Sequence, residues 1–189
     1  MGNNEFEIRS ASIGTENKKL VGYVVRWNSL SDVIWDEFVE QFAPNAFADS
    51  LNANADIRAL YEHDYKQLLG RTRSGTLSLI EDSVGLRFEL TPPDTQLGRD
   101  VLTLVERGDI AGMSFGFRAL KESWDVTPKP YIRTVLAAEL REITVTSIPA
   151  YPESGVEVAH RSLFKQHPEL LNKIGQSDIR RRWLQLSEV

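Results

Sequence analysis

A serine between two glycines is the residue in this sequence that most suggests chemistry. The segment Gly112-Met113-Ser114-Phe115-Gly116 matches G-x-S-x-G, which often surrounds the nucleophilic serine of a hydrolase. In α/β-hydrolases that serine occupies a sharp turn between a strand and a helix. Here the following residues FRALKESW continue a strand pattern, and 189 residues is short for that fold. Ser114 is therefore either a nucleophile on a strand or a small residue packed under a neighbouring element.

The alternation of side chains along a strand gives residues 110–120 two different faces. Met113, Phe115 and Phe117 point to one side and predict a core face. Ser114 points to the other side, between glycines two positions before and two positions after it. Glycines at those positions would let a substrate backbone approach the hydroxyl group.

A serine nucleophile needs a base, since its hydroxyl is barely ionised at neutral pH. The sequence contains three histidines. His160 and His167 follow Pro149 and Pro152 in a basic stretch, where we expect solvated helix positions. His63 ends a strand-like segment and precedes a loop-like one, a common place for functional side chains, although a lone strand-end histidine is more often structural. His63 is the candidate base.

A carboxylate would orient the imidazole and stabilise its charged form. Asp64 is adjacent to His63, but neighbours in an extended chain point to opposite faces. Glu142 lies in the strand-like segment LREITVTSIPA, where it shares a face with Thr144 and Thr146. A lone glutamate among threonines is usually a solvated strand position. The residues alone therefore favour a surface role for Glu142 over a role beside the histidine.

The elements that would position these residues are mainly strands. Eight short β-rich segments predict a closed or nearly closed antiparallel β-barrel with flanking helices, an α+β fold, and not alternating βαβ units. The segments are residues 5–12, 20–27, 56–63, 75–82, 84–91, 110–120, 131–140 and 141–150.

Two helices are predicted between these strands. The stronger pattern covers residues 96–107, with Asp94 or Thr95 as the N-terminal cap and Gly108 as the stop. Its apolar stripe consists of Leu97, Val101, Leu104 and Val105. A shorter helix is predicted near residues 44–51.

The chain has the composition of an ordinary globular protein, with 41% hydrophobic and 26% charged residues. We predict one domain over residues 1–160 and a basic helical tail over residues 161–189, with Leu163, Leu170 and Ile174 as anchors of its helices at 161–174 and 177–186. Residues 160–189 hold six Lys/Arg against three acids, so the net charge of −5 divides into +3 there and −8 before it. This acidic body argues against a protein that binds nucleic acid through phosphate contacts.

Several classes of site and location are excluded or disfavoured by composition. The absence of cysteine excludes disulfides, cysteine metal sites and thiol catalysis. The apolar runs are far shorter than the roughly 18 residues of a membrane span, and the N-terminus lacks a signal-peptide pattern. We therefore expect a cytoplasmic protein with no membrane partner and no cofactor.

Three segments in one order resemble a known family. They are LYEHDYKQLLGRT, GLRFELTPPDTQLGRDVLTLVERGDIAGMSFGF and LREITVTSIPAYP. Over roughly residues 5–160 the chain resembles the prohead (capsid-maturation) serine proteases of tailed bacteriophages, which are distant relatives of the herpesvirus assemblins. The resemblance implies a β-barrel with flanking helices and the chain order histidine, serine, third member.

The resemblance also implies roles for individual residues. Ser114 matches the family nucleophile, His63 the base and Glu142 an acidic position. Because the assemblins use a second histidine as third member, Glu139 and Asp64 stay alternatives to Glu142. The oxyanion donor is expected to be a backbone amide near Ser114 or in the turn at residues 70–71.

The function implied is that of a serine endopeptidase. It would cleave the scaffold, or the scaffold-like segment of the major capsid protein, and itself, inside the immature capsid in the host cytoplasm. The tail would dock on scaffold or capsid or be removed by self-cleavage, and homo-oligomers are possible. The competing hypothesis is a non-catalytic capsid-assembly or scaffold-binding factor, and an esterase or amidase of small substrates ranks below both.

Overall fold

The computed structural model describes residues 7–16, 18–34, 36–147, 159 and 162–172. It shows a mainly β protein with short helices, as the sequence predicts. The strands are β1 Glu7–Glu16, β2 Lys19–Arg26, β3 Phe38–Phe42, β4 Arg58–Tyr61, β5 Asp64–Arg71, β6 Leu77–Glu81, β7 Gly85–Leu90, β8 Gly112–Asp125 and β9 Tyr131–Thr146. The α-helices are α1 Ala48–Asn52 and α2 Gln96–Arg107, residues 162–166 are also helical, and 3₁₀ turns occur at Thr72–Ser74 and Pro168–Asn172.

The strands follow one another in the order β5-β4-β9-β8-β1-β2-β7-β6, and β3 pairs with β9 beside this path. Strand β1 joins two sheets, because residues 7–12 pair with β8 and residues 13–16 pair with β2. The long hairpin of β8 and β9 forms the centre of the first sheet. The candidate nucleophile Ser114 lies on β8, and the candidate acid Glu142 lies on β9. The candidate base His63 lies in the turn that follows β4.

Two pairings are parallel, which corrects the prediction of an antiparallel arrangement throughout. Strands β3 and β4 both run parallel to β9, whereas the other described pairings are antiparallel. Parallel neighbours need a long crossover connection, and many residues separate β3 and β4 from β9 along the chain. The alternation pattern of a strand does not depend on the direction of its neighbour, so the sequence did not reveal these two directions.

Two predicted strand boundaries change, and two strands are new. The two segments predicted at 131–140 and 141–150 form one strand, β9, and β8 continues to Asp125, beyond the predicted end at residue 120. Strands β3 and β5 were not predicted. Half of the residues of β5 are polar or charged, so it lacks the alternation that identifies a strand with one buried face.

Helix α2 agrees with its prediction at both ends. Thr95 is the N-cap, with its side chain accepting a hydrogen bond from the amide of Gly98, and Gly108 ends the helix in the left-handed conformation. Val101 and Val105 are buried in the main core. Within the part of the chain that is described, no helix has the length and apolar composition of a membrane span.

The main core confirms the predicted apolar face of β8. Met113, Phe115 and Phe117 are all buried in it. Phe42 packs against two of these rings, with its centroid 5.7 Å from that of Phe115 and 5.1 Å from that of Phe117. This face fixes the orientation of the strand, because a shift by one residue would move the rings out of the core and Ser114 into it.

A second, smaller apolar cluster lies at the far end of the β8–β9 hairpin. It joins Trp124 of β8 and Phe38 of β3 to residues near the C-terminus, and its buried members are Ile34, Phe38, Trp124, Ala159, Leu163 and Leu170. Leu163 and Leu170 were predicted as helix anchors, and their contacts cross the predicted boundary at residue 160. Ile174 and the predicted helix 177–186 lie outside the described residues.

Candidate active site

The strand register brings the candidate residues onto one face of the sheet. Ser114 of β8 lies directly opposite Thr144 of β9, and Gly116 lies opposite Glu142. Strand β4 pairs with the other edge of β9, so that Leu60 lies opposite Thr144. Directly opposed residues share a face, so these side chains point away from the rings of the main core.

The turn between β4 and β5 places His63 on this face, beside Glu142. Glu62 and His63 both have positive φ angles, 49° and 56°, in the left-handed region that non-glycine residues rarely adopt. The amide of Glu62 donates to the carbonyl of Val145 at 3.0 Å, which ties this reversal to the end of β9. Such backbone conformations persist where the surroundings hold them, and they are concentrated at functional sites.

The carboxylate of Glu62 adds a second tie between the His63 turn and β9. It accepts hydrogen bonds from the Ser147 amide at 2.9 Å, the Ser147 hydroxyl at 3.0 Å and the Thr146 hydroxyl at 2.7 Å. Burial raises the pKa of this carboxyl, but the hydrogen bonds from Ser147 and Thr146, together with the nearby His63, outweigh it and lower the pKa. Glu62 therefore holds the turn in its ionised form.

His63 and Glu142 meet at the centre of the site. The Nδ1 atom of His63 lies 3.1 Å from Oε1 of Glu142. The other carboxylate oxygen, Oε2, accepts a hydrogen bond from the hydroxyl of Thr144. Only 4% of Glu142 is exposed, and Thr144 is fully buried, so the interpretation of this face of β9 as a solvated surface is wrong.

Gly116 provides the space that the Glu142 carboxylate occupies. A Cβ atom at this position would lie 2.9 Å from Oε1 and 3.4 Å from Cγ of Glu142, both closer than side-chain contacts normally allow. The sequence suggested that this glycine clears the strand for a substrate backbone. The structure places the Glu142 side chain there, so this expectation is wrong for Gly116.

Two polar atoms of the site are buried without a hydrogen-bond partner among the described residues. They are Oγ of Ser114 and Nε2 of His63. A buried polar group without a partner loses about 1–3 kcal/mol of stability, and native proteins contain few of them. Ser114 and His63 thus each present the atom that a serine–histidine pair would use, and the Ser114 residue itself is 0% exposed.

The alternative acids have partners of their own. Asp64 accepts hydrogen bonds from the Lys66 amide at 2.8 Å and the Gln67 side chain at 3.2 Å. Glu139 forms ion pairs with Arg118 at 2.6 Å and Arg141 at 2.8 Å. Of the three candidate carboxylates, Glu142 is the one in contact with His63.

Of the other two histidines, the structure describes His167, which has a carboxylate partner away from this site. His167 lies in the C-terminal helical region, with its Nδ1 atom 3.0 Å from Glu169 Oε1. His160 lies outside the described residues.

The predicted sources of an oxyanion donor find little support. The Arg71 amide donates to the Thr76 hydroxyl at 2.9 Å, so it is already engaged. Ser114 is paired with Ser10 on one side and Thr144 on the other, so the amides next to it face paired strands. The location of the oxyanion donor stays a prediction.

Sequence reasoning missed Thr144 and Glu62 as contributors to this site. The signal for Thr144 was present, because it lies two residues after Glu142 on the same face of a strand. No local signal identified Glu62, since its partners Thr146 and Ser147 are more than 80 residues away along the chain.

The sequence is similar to those of known proteins. A family model described as "Caudovirus prohead serine protease" matches residues 4–168. The chain is similar to the "Prohead protease" of Enterobacteria phage HK97, with 32% identity over 117 residues, 60% of this chain and 49% of that protein. The chain thus spans about half the length of this curated relative. No solved structure shows a significant match. Since the family model matches most of the chain, the chain belongs to the caudovirus prohead serine protease family.

Proposed function

We propose that this chain is a serine endopeptidase of bacteriophage capsid maturation, with Ser114 as nucleophile, His63 as general base and Glu142 as the orienting carboxylate. The observation that carries the proposal is the contact of His63 Nδ1 with Glu142 Oε1 at 3.1 Å, on the sheet face that holds Ser114. The chain order of histidine, serine and acid is the order that the family resemblance implies.

The proposed chemistry is acyl transfer to the serine. His63 Nε2 takes the proton of the Ser114 hydroxyl while Oγ attacks the peptide carbonyl, and the Glu142 carboxylate stabilises the imidazolium that forms. The imidazolium then protonates the leaving amine as the C–N bond breaks. Water, deprotonated by His63, hydrolyses the acyl-enzyme, and the proton returns to Ser114. General acid–base help of this kind contributes about 10²–10⁴ in rate.

We also propose that the strands close, or nearly close, into a barrel. Strands β5 and β6 lie at opposite ends of the strand order, yet only the short turn Thr72–Ser74 and two further residues separate them. Thr76 accepts from the Arg71 amide through its hydroxyl and from the Thr91 amide through its carbonyl. These contacts bring the two ends of the path together.

The proposed substrate is the scaffold, or the scaffold-like segment of the major capsid protein, and the enzyme itself. The setting is the immature capsid inside the host cell. Support comes from the family and from the name of the HK97 relative, "Prohead protease". We keep residues 1–160 as the proposed protease domain and 161–189 as the proposed basic tail, which would dock on scaffold or capsid or be removed by self-cleavage.

Co-expression with the matching capsid protein tests this function. The wild type should shorten the capsid protein, and Ser114→Ala should lower processing by about 10⁶ in rate, which is no visible processing on a gel. Ser78→Ala removes a serine from an exposed position of β6 and serves as the matched control. Equal processing by the wild type and Ser114→Ala would rule out the proposed nucleophile.

A non-catalytic capsid-assembly or scaffold-binding factor is the second candidate. The complete burial of Ser114 is the observation in its favour, since a nucleophile must become accessible to its substrate. This candidate predicts that the protein binds the scaffold segment in a pull-down while neither the wild type nor Ser114→Ala shortens it.

A further inference from the structure

We propose that Thr144 is a positioning residue for the reaction, which fixes the Glu142 carboxylate so that Glu142 can in turn hold His63. This inference rests on the proposed function. It adds a fourth residue to the histidine, serine and acid of the proposed function, and this residue contacts Glu142 and not His63.

The position of Thr144 is set by strand pairing on both edges of β9. Ser114 lies opposite it on β8, and Leu60 lies opposite it on β4. Thr144 and these two neighbours are all 0% exposed. Its hydroxyl group therefore has no access to solvent and must be used within the site.

The hydroxyl of Thr144 donates to Oε2 of Glu142. The two oxygens of this carboxylate thereby have different partners, since Oε1 faces Nδ1 of His63. A carboxylate with a partner at one oxygen can still turn about its terminal bond, whereas a second partner from a fixed strand position restricts that rotation. The Thr144 side chain is itself restricted, because it is β-branched.

The hydrogen bond also offsets part of the cost of burying Glu142. A buried carboxylate retains its charge only if hydrogen bonds or a cation replace the water it has lost. Thr144 supplies one such hydrogen bond whether or not the imidazole is protonated. Without it, the carboxylate that is proposed to stabilise the imidazolium would lose one of its two side-chain partners.

Valine and serine substitutions separate the hydroxyl group from the shape of the side chain. Thr144→Val keeps the branched shape and removes the donor, whereas Thr144→Ser keeps the donor. A hydrogen bond to a charged group is worth about 1.5–3 kcal/mol. We therefore expect Thr144→Val to lower kcat by about 10–10² with KM changed by less than about threefold, and Thr144→Ser to stay within about threefold of wild type.

The assay uses a peptide that spans the capsid-protein site cleaved by the wild type in co-expression. Thr134→Val is the matched control, because Thr134 lies on the same strand and its hydroxyl accepts from Gln41, away from the site. It should keep the wild-type kcat. If Thr144→Val does not fold, Thr144→Ala and Thr144→Ser take its place, because they differ by the hydroxyl group alone. The kcat of Thr144→Ala should then be lower than that of Thr144→Ser by the same factor of about 10–10².

The outcomes distinguish the two proposals. If Ser114→Ala cleaves the peptide like the wild type, both the proposed function and the role of Thr144 are overturned. If Ser114→Ala is inactive but Thr144→Val has wild-type kcat, or Thr144→Ser is as slow as Thr144→Val, only the role of Thr144 is overturned. A selective loss of kcat in Thr144→Val with recovery in Thr144→Ser supports it.

Discussion

Residues 113–117 of β8 are buried on both faces of the strand, and the two faces differ in what this burial achieves. On one face Phe115 and Phe117 pack ring against ring, with centroids 5.7 Å apart, and both belong to the apolar core. On the other face Ser114 is just as inaccessible, but its hydroxyl has no hydrogen-bond partner among the described residues. The first face stabilises the fold, whereas the second gives up stability by burying a hydroxyl group that makes no hydrogen bond to the described residues.

The difference extends to the residues paired with β8. Ile143 and Val145 of β9 join the apolar core, while Glu142 and Thr144, which alternate with them, form a buried polar chain. A single pair of strands therefore supports a core and a site without a loop between them. Rigid strands hold side chains more firmly than loops do, which suits a geometry that must be kept within a fraction of an ångström.

The largest expected effect on the polar face, beyond loss of the nucleophile, belongs to Glu142→Gln. The amide keeps the size of the side chain but cannot stabilise an imidazolium as a carboxylate does. We expect kcat to fall by about 10²–10⁴ while the unfolding transition stays close to that of the wild type. Glu139→Gln is the matched control on the same strand, and a larger loss there would transfer the role to Glu139.

The core face should respond in the opposite way. Phe115→Ala removes a fully buried ring and is expected to lower the free energy of unfolding by about 3–5 kcal/mol. Denaturant titration measures this loss. The kcat per folded molecule, measured in low denaturant, should stay within about threefold of the wild type. A large drop in kcat would show that the two faces are not independent.

Gly116→Ala tests the boundary between the two faces. The new Cβ would crowd Oε1 of Glu142 at 2.9 Å and displace it from His63. Since small misplacements of catalytic groups can cost about 10²-fold, we expect kcat to fall by about 10–10². Gly14→Ala is the control, because a Cβ there would meet only the Val21 carbonyl, at 4.0 Å. Full activity of Gly116→Ala would contradict the proposed use of this glycine.

The smallest expected effect is a difference in pH dependence between two carboxylates. Hydrogen bonds from Ser147 and Thr146 outweigh burial and lower the pKa of Glu62, beside the site. Burial raises the pKa of Glu81, despite a hydrogen bond from the Phe47 amide next to the core. Glu62 therefore contributes stability that is present above its unfolded pKa and lost as pH falls, whereas the contribution of Glu81 is lost as pH rises.

Denaturant titrations between about pH 3 and pH 7 measure this difference, a window that brackets the unfolded carboxyl pKa of about 4.3. Relative to wild type, Glu62→Gln should become more destabilising as pH rises. Glu81→Gln should become less destabilising over the same range. Parallel pH dependence in the two variants would contradict the opposite environments assigned to these groups.

The accuracy of sequence-based prediction varied with the range of the interactions involved. Helix α2 was predicted with its cap at Thr95 and its end at Gly108, because capping depends on residues a few positions apart. The apolar face of β8 was predicted from alternation alone. Strand β5 was missed because half of its residues are polar or charged. The parallel directions of β3 and β4 were not foreseen, because they depend on pairing with β9, which is distant in sequence.

The sequence by itself determined that Ser114 lies on the face of β8 opposite the core face, that a strand ends close to His63 and that Glu142 shares a face with Thr144. Each of these conclusions depends on local periodicity, which the side-chain order carries directly. Only the tertiary structure decided that Glu142 is buried and meets His63, that Gly116 makes room for it and that Thr144 binds its second oxygen. These contacts depend on the register between β8 and β9 and on the parallel approach of β4, which are set by packing across the whole sheet.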